Sequence, residues 1–170
     1  MRKVFLMSLF SAVVLLFSGC GYTIGNLGHP QLESVAVAPV SNETLFYNAS
    51  AQMRGMLTEC FTTDGTMKLV SAERADCIVY AKITDVNFNS VDWSDSDEDE
   101  FTANEWKCSV KVSYSVILPG RAKPLVANRK VTGSTRFTSG PDLESARING
   151  MRQAMYSAAK NIVASVTEAW

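Results

Sequence analysis

The chain predicts an α+β fold: a two-layer sandwich with two helices packed on one face of a mixed, mainly antiparallel four-stranded sheet. Three observations predict it. From Trp106 to Leu118 apolar and polar residues alternate almost without a break, as in a half-buried strand. Two other stretches, Leu45 to Phe61 and Leu143 to Val166, repeat apolar residues at helical spacing. The order along the chain is strand, helix, several strands, helix. A sheet with one apolar face and two helices with one apolar stripe each satisfy one another when both helices lie on the same side. The other sheet face is then left open.

Each element has its own signal. Val35, Val37 and their neighbours Ala36, Ala38 and Val40 form a short buried-strand signal, and Pro39 within it belongs at a strand end or edge. Leu45, Ala49, Met53, Met56, Leu57, Cys60 and Phe61 predict a helix over roughly 44 to 63. Ser41 to Thr44 offer capping side chains before it, and Asp64-Gly65 a stop after it. Met67 to Val70 is a brief strand, and Ala75-Asp76 leads into a longer one from Cys77 to about Val91. An acidic tip, Asp92 to Glu100, separates this strand from the next. There Trp106, Cys108, Val110, Val112, Tyr114, Val116 and Leu118 point one way, and Lys107, Ser109, Lys111, Ser113 and Ser115 the other. Pro119-Gly120 turns the chain, and Leu125 to Phe137 returns as a more polar strand carrying Arg129, Lys130 and Arg136. Pro141 and Asp142 open the last helix, whose stripe is Leu143, Ala146, Met151, Ala154, Met155, Ala158, Ile162, Val163 and Val166. The polar sheet face, with Lys107 and Lys111 beside Arg129, is the first place to expect a partner or an anionic ligand.

The N-terminus carries a different signal. Arg2 and Lys3 precede an apolar run from Val4 to Phe17, and Leu16-Phe17-Ser18-Gly19-Cys20 closes it. That order of parts is a secretory signal, and the run is shorter than the roughly 20 residues a spanning helix needs. The closing residues resemble the lipobox of a bacterial lipoprotein precursor, with Phe17 where Leu is usual. The resemblance implies a diacylglyceryl group on Cys20, cleavage before it and acylation of the new amino group. One acyl chain holds weakly at ~0.8 kcal/mol per buried methylene, whereas two or three hold a protein on a bilayer. Gly21, where Asp would retain a bacterial lipoprotein in the inner membrane, suits export to the periplasmic side of the outer membrane. Residues 1–19 are thus read as signal peptide, 20–31 as a lipidated tether rich in Gly, Asn and Pro, and 32–170 as one domain.

Size and charge bound the rest. Of 170 residues, 151 remain after the signal, enough for one domain that buries roughly 68–70% of its unfolded surface. Without Arg2 and Lys3, 14 basic residues face 17 acidic ones, a formal charge of −3, which argues against nucleic acid as a partner. Besides Cys20 the chain has Cys60, Cys77 and Cys108, an odd number without metal-site spacing, so at most one disulfide forms within it. Each lies on an apolar stripe and reads first as a small buried hydrophobe. Asp95, Asp97 and Asp99 alternate as in a calcium loop, but Glu100 stands where glycine is required and Trp106 where the bidentate acid is, so a solvated hairpin tip is the better reading. His29, the one histidine, lies in the tether, leaving no histidine base for a nucleophile in the domain. No catalytic residues, metal ligands or cofactors are expected. Lys160, Trp93, Trp106 and Trp170 read as surface or core-edge residues.

Cys20-Gly21-Tyr22, the run Ser34-Val35-Ala36-Val37-Ala38-Pro39-Val40-Ser41-Asn42-Glu43-Thr44, the segment Ala75-Asp76-Cys77-Ile78-Val79 and the closing amphipathic helix together resemble the lipopolysaccharide-assembly lipoprotein family, LptE. Asn42 and Thr44 match its turn at the helix entrance, where their side chains would take up amides of the first turn. The resemblance covers nearly the whole domain. It implies a non-enzymatic plug and assembly partner for the outer-membrane β-barrel, LptD-like, that inserts lipopolysaccharide into the outer leaflet. Phosphate contacts would then come from Lys107, Lys111, Arg121, Lys123, Arg129, Lys130 and Arg136, against the plainer reading of a solvated basic face. The acidic hairpin tip would repel the lipid's phosphates, so that end is not expected to bind it. The strand-then-Asn42 pattern also resembles periplasmic lipoproteins that activate a cell-wall synthase or build a secretion channel, and that alternative stays open.

Overall fold

Pro39 interrupts pairing without ending the strand direction. In the computed structural model β1 (Ser34–Val37) and β2 (Ser41–Asn42), on either side of Pro39, both run parallel to one long strand. The structure describes residues 32–93, 103–138 and 142–168. The signal peptide, Cys20, His29, most of the acidic tip, Pro141 and Trp170 lie outside these residues. Element order continues with α1 (Ala49–Asp64), β3 (Lys68–Leu69), β4 (Cys77–Trp93), β5 (Ala103–Ile117), β6 (Val126–Thr138) and α2 (Leu143–Thr167).

The mixed sheet and its two covering helices match the expected architecture, but the sheet has six strands rather than four. Five of them follow the order β3-β1-β4-β5-β6, and β2 pairs with β4. Two strands are only two residues long: β3 lies within the brief strand expected over Met67 to Val70, and β2 is below the length at which alternation is visible in sequence. β1 pairs in parallel with β3 and β4, whereas β4–β5 and β5–β6 are antiparallel over nearly their full lengths.

The core lies between the sheet and the helices. Cys77, Val79, Ala81 and Ile83 of β4 are buried, as are Cys108, Val110, Val112, Tyr114 and Val116 of β5. Beyond Ile83 the inward positions on β4 change from odd to even, to Val86 and Phe88, and a register shift between Ile83 and Asp85 absorbs the extra residue. From the helices come Met53, Leu57, Cys60 and Phe61 of α1 and Met151, Ala154, Met155, Ala158, Ile162 and Val163 of α2. The helix ends are those the sequence indicates at two of three points. Gly65 at φ 70° donates its amide to the Phe61 carbonyl, closing α1, and the Asp142 carboxylate accepts from the Ser145 amide at 3.1 Å, opening α2.

The start of α1 differs. It begins at Ala49, not near residue 44, and Leu45 is fully exposed rather than part of the apolar stripe. Asn42 explains this. Its Oδ1 accepts from the Thr44 amide at 2.9 Å and the Thr44 hydroxyl at 2.7 Å, and its Nδ2 donates to the Phe46 carbonyl at 2.8 Å. The expected caps of the helix therefore stabilise a separate turn before it.

Candidate functional site

The face of β4, β5 and β6 opposite the helices is the candidate site. Directly paired residues share a face, so the register lays out rows across the three strands. One row is Asn89, Lys107 and Arg136; the next is Asn87, Ser109 and Ser134. A third is Asp85, Lys111 and Thr132, and a fourth Lys82, Ser113 and Lys130. Strands stand about 4.8 Å apart, so neighbours along a row reach a common ligand group.

Three ion pairs order the cations. Lys111 Nζ lies 2.9 Å from Asp85, Lys82 Nζ 2.8 Å from Glu43, and Arg136 3.7 Å from Glu105. All are substantially exposed, so each adds at most about 1 kcal/mol and yields readily to a competing anion. Among the described residues Lys107 and Lys130 have no such carboxylate partner. At the fourth row Tyr80, Lys82, Ser113, Ser115 and Asn128 line a shallow recess of ≈ 180 Å³. Asn128, at φ 44°, donates its amide to Ser115 Oγ at 2.9 Å, where the β5–β6 register slips. An ammonium and several hydroxyls there match the needs of an anionic oxygen cluster.

The structure thus gathers four of the sequence-predicted cations, Lys107, Lys111, Lys130 and Arg136, on one face. Arg129 is not beside them. It pairs with Tyr114, whose ring is buried beneath α2, and so belongs to the helix-bearing side. Alternation along β6 itself separates Arg129 from Lys130 and Arg136, and the register sets it against Tyr114 rather than beside Lys107 or Lys111. Arg121 and Lys123 sit in the exposed turn after Leu118, at one end of the sheet, with Gly120 at φ 80° and the Arg121 amide bonded to the Leu118 carbonyl. Sequence reasoning misses Lys82, although its place between inward Ala81 and Ile83 marks it as outward.

Cys20 and the calcium-like aspartates lie outside the described residues, and among the described residues no cluster of potential metal ligands occurs. No helix of the described residues is long and apolar enough to cross a membrane. The three domain cysteines are buried and unpaired, as small hydrophobes. Burial pushes Cys77 and Cys108 up to about 11. It also raises Cys60, beside a groove of ≈ 340 Å³ between the C-terminal halves of α1 and α2.

Neither a scan of protein-family models nor a search of curated proteins gave a match. Solved structures do match. Protein CT253 from Chlamydia trachomatis superposes with a TM-score of 0.55 at 16% identity, covering 80% of this chain and 96% of that one. XCC0632 from Xanthomonas campestris gives 0.56 at 10% identity, covering 86% and 88%. A minor lipoprotein from Acinetobacter baumannii gives 0.52 at 8% identity, covering 81% and 94%. At these identities the likeness is one of fold, shared with one solved bacterial lipoprotein among others.

Proposed function

We propose that this chain is an outer-membrane lipoprotein, held by acyl chains on Cys20 with its body on the periplasmic side, that acts in lipopolysaccharide assembly as plug and assembly partner of the translocon barrel. The observation that carries this reading is the open face of β4–β6, where Lys82, Lys107, Lys111, Lys130 and Arg136 stand among serine, threonine and asparagine on a rigid sheet. A barrel lumen is polar, and a plug must offer it a folded polar surface. Phosphates of the lipid's sugar part suit ammonium and guanidinium groups, whose weak ion pairs here are easily exchanged. The fold shared with a solved lipoprotein and the motif order ending at Cys20 support the anchored part of the reading. The work of such a protein is docking rather than catalysis.

Depletion tests the reading as a whole: barrel folding and surface lipopolysaccharide should both fall, and normal levels of both would count against it. Charge reversal tests the face. Lys107→Glu with Lys130→Glu is expected to weaken binding of purified lipopolysaccharide about tenfold at low salt, with an unchanged melting temperature. Equal binding by the variant removes the face from the lipid's path. Stimulation of a glycan polymerase by the purified domain, with no barrel in the pull-down, would replace the reading with the cell-wall one.

A further inference from the structure

Leu45-Phe46-Tyr47 is the feature that neither the core nor the open sheet face uses. Leu45 is 102% exposed and Tyr47 96%, while Phe46 between them is 36% exposed. Scattered apolar residues are ordinary on a surface, but three in succession on a rigid turn are not. Besides the Asn42 bonds, the Phe46 amide donates to Thr44 Oγ1 at 3.4 Å, and the Glu43 amide ties the turn to the Ile83 carbonyl of β4 at 2.9 Å. The Phe46 ring lies against Phe88 with centroids 6.1 Å apart, and Phe88 meets Phe137 edge-on at 6.3 Å. The turn is thus rooted in the core while its two outer side chains point to solvent.

Such a knuckle is pre-organised, so inserting it into a partner costs little ordering entropy. Its chemistry separates the candidate occupants. Segments that lie on anionic membrane surfaces carry Lys or Arg beside their apolar residues. Between Ser41 and Met53 the only charge is Glu43, bridged to Lys82, which argues for a protein. A second copy docking knuckle to knuckle is disfavoured by area. A large aromatic side chain buries roughly 150–250 Å². The knuckle therefore falls short of the ~800 Å² per partner that a stable interface uses. It fits instead as one anchor within a larger interface, and the Glu43–Lys82 bridge joins it to the open sheet face.

We propose that Leu45 and Tyr47 insert into an apolar socket, rimmed by a hydrogen-bond acceptor for the Tyr47 hydroxyl, on the wall of the barrel protein that the chain plugs. This rests on the function proposed above. The test uses the full-length lipidated protein, the purified translocon barrel in detergent, and Leu45→Ser/Tyr47→Ser. The expected result is an affinity loss of about 30-fold or more, with unchanged lipopolysaccharide binding and melting temperature. Equal affinity overturns the knuckle while leaving the plug function intact. No binding of the native protein to the barrel overturns both. If a Cys20→Ser form of the protein, free of acyl chains, partitions onto phosphatidylethanolamine–phosphatidylglycerol vesicles and Leu45→Ser/Tyr47→Ser abolishes this while barrel binding is kept, the occupant is a bilayer and the proposal fails. A concentration-dependent dimer abolished by the substitutions would overturn it in favour of a second copy.

Discussion

Asp76 shows how one exposed side chain can hold two strands in register. Its carboxylate accepts from the Ser34 hydroxyl at 2.7 Å and from the amides of Ser34 and Glu33 at 2.9 and 3.1 Å, while the Ser34 hydroxyl accepts from the Asp76 amide at 3.0 Å. These bonds favour the charged form, the Ser34 hydroxyl most, and hold the carboxyl below its ordinary value of 3.8. A depressed carboxylate contributes stability that is fully present above its unfolded pKa and is lost as pH falls through the folded one. Asp76→Asn is therefore expected to lower the urea midpoint at pH 7, and the gap from the native protein should close below about pH 4. A gap that stays constant down to pH 3 would mean that the charge is not what matters. The Ala75-Asp76 pair was visible in sequence, but its partner lies 42 residues away, which no local pattern reveals.

At the level of elements, the contact between α2 and β6 is set by the absence of a side chain. A Cβ on Gly133 would lie 2.1 Å from the Ala154 carbonyl oxygen and 2.3 Å from the Ala158 nitrogen, both helix backbone that cannot yield without moving α2. Gly133→Ala is expected to cost about 3 kcal/mol, the upper range for overpacking, or to prevent folding, as read by denaturant unfolding. A loss under about 0.5 kcal/mol would show that the helix rides further from the strand. Helix and strand periodicity gave α2, β4, β5 and β6 close to their observed bounds, because each carries a long apolar stripe. The same periodicity misplaces the start of α1, since Leu45 lies at helical spacing from Ala49 and Met53 yet the Asn42 side chain stabilises a competing turn. It also passes over β2, two residues long, whereas β3 lies within the brief strand expected over Met67 to Val70.

For the whole molecule, one core joins both helices to the sheet, and the three cysteines report on its integrity. Cys60 comes from α1, Cys77 from the start of β4 and Cys108 from β5, all buried and all raised in pKa by that burial. A thiol held at about 11 and shut from solvent reacts with an alkylating reagent only after the core opens. Labelling of Cys77 and Cys108 at pH 8 should therefore proceed at a common slow rate that rises with urea in step with global unfolding. Fast, unequal labelling of either residue in native buffer would show that its layer opens locally.

The sequence by itself determined which residues face inward along β5, along α1 from Ala49 onward and along α2, because burial imposes a period of two or 3.6 on the chain. It also determined the order of helices and strands, the single acylation candidate at Cys20 and the expectation that the cysteines are buried. Tertiary structure alone decided which cations stand together. The strand register sets Lys82 in one row with Lys130, beside the rows of Lys107, Lys111 and Arg136, and sets Arg129 against Tyr114 on the helix-bearing side. It alone also turned Leu45 and Tyr47 outward, through side-chain hydrogen bonds whose geometry no periodicity encodes.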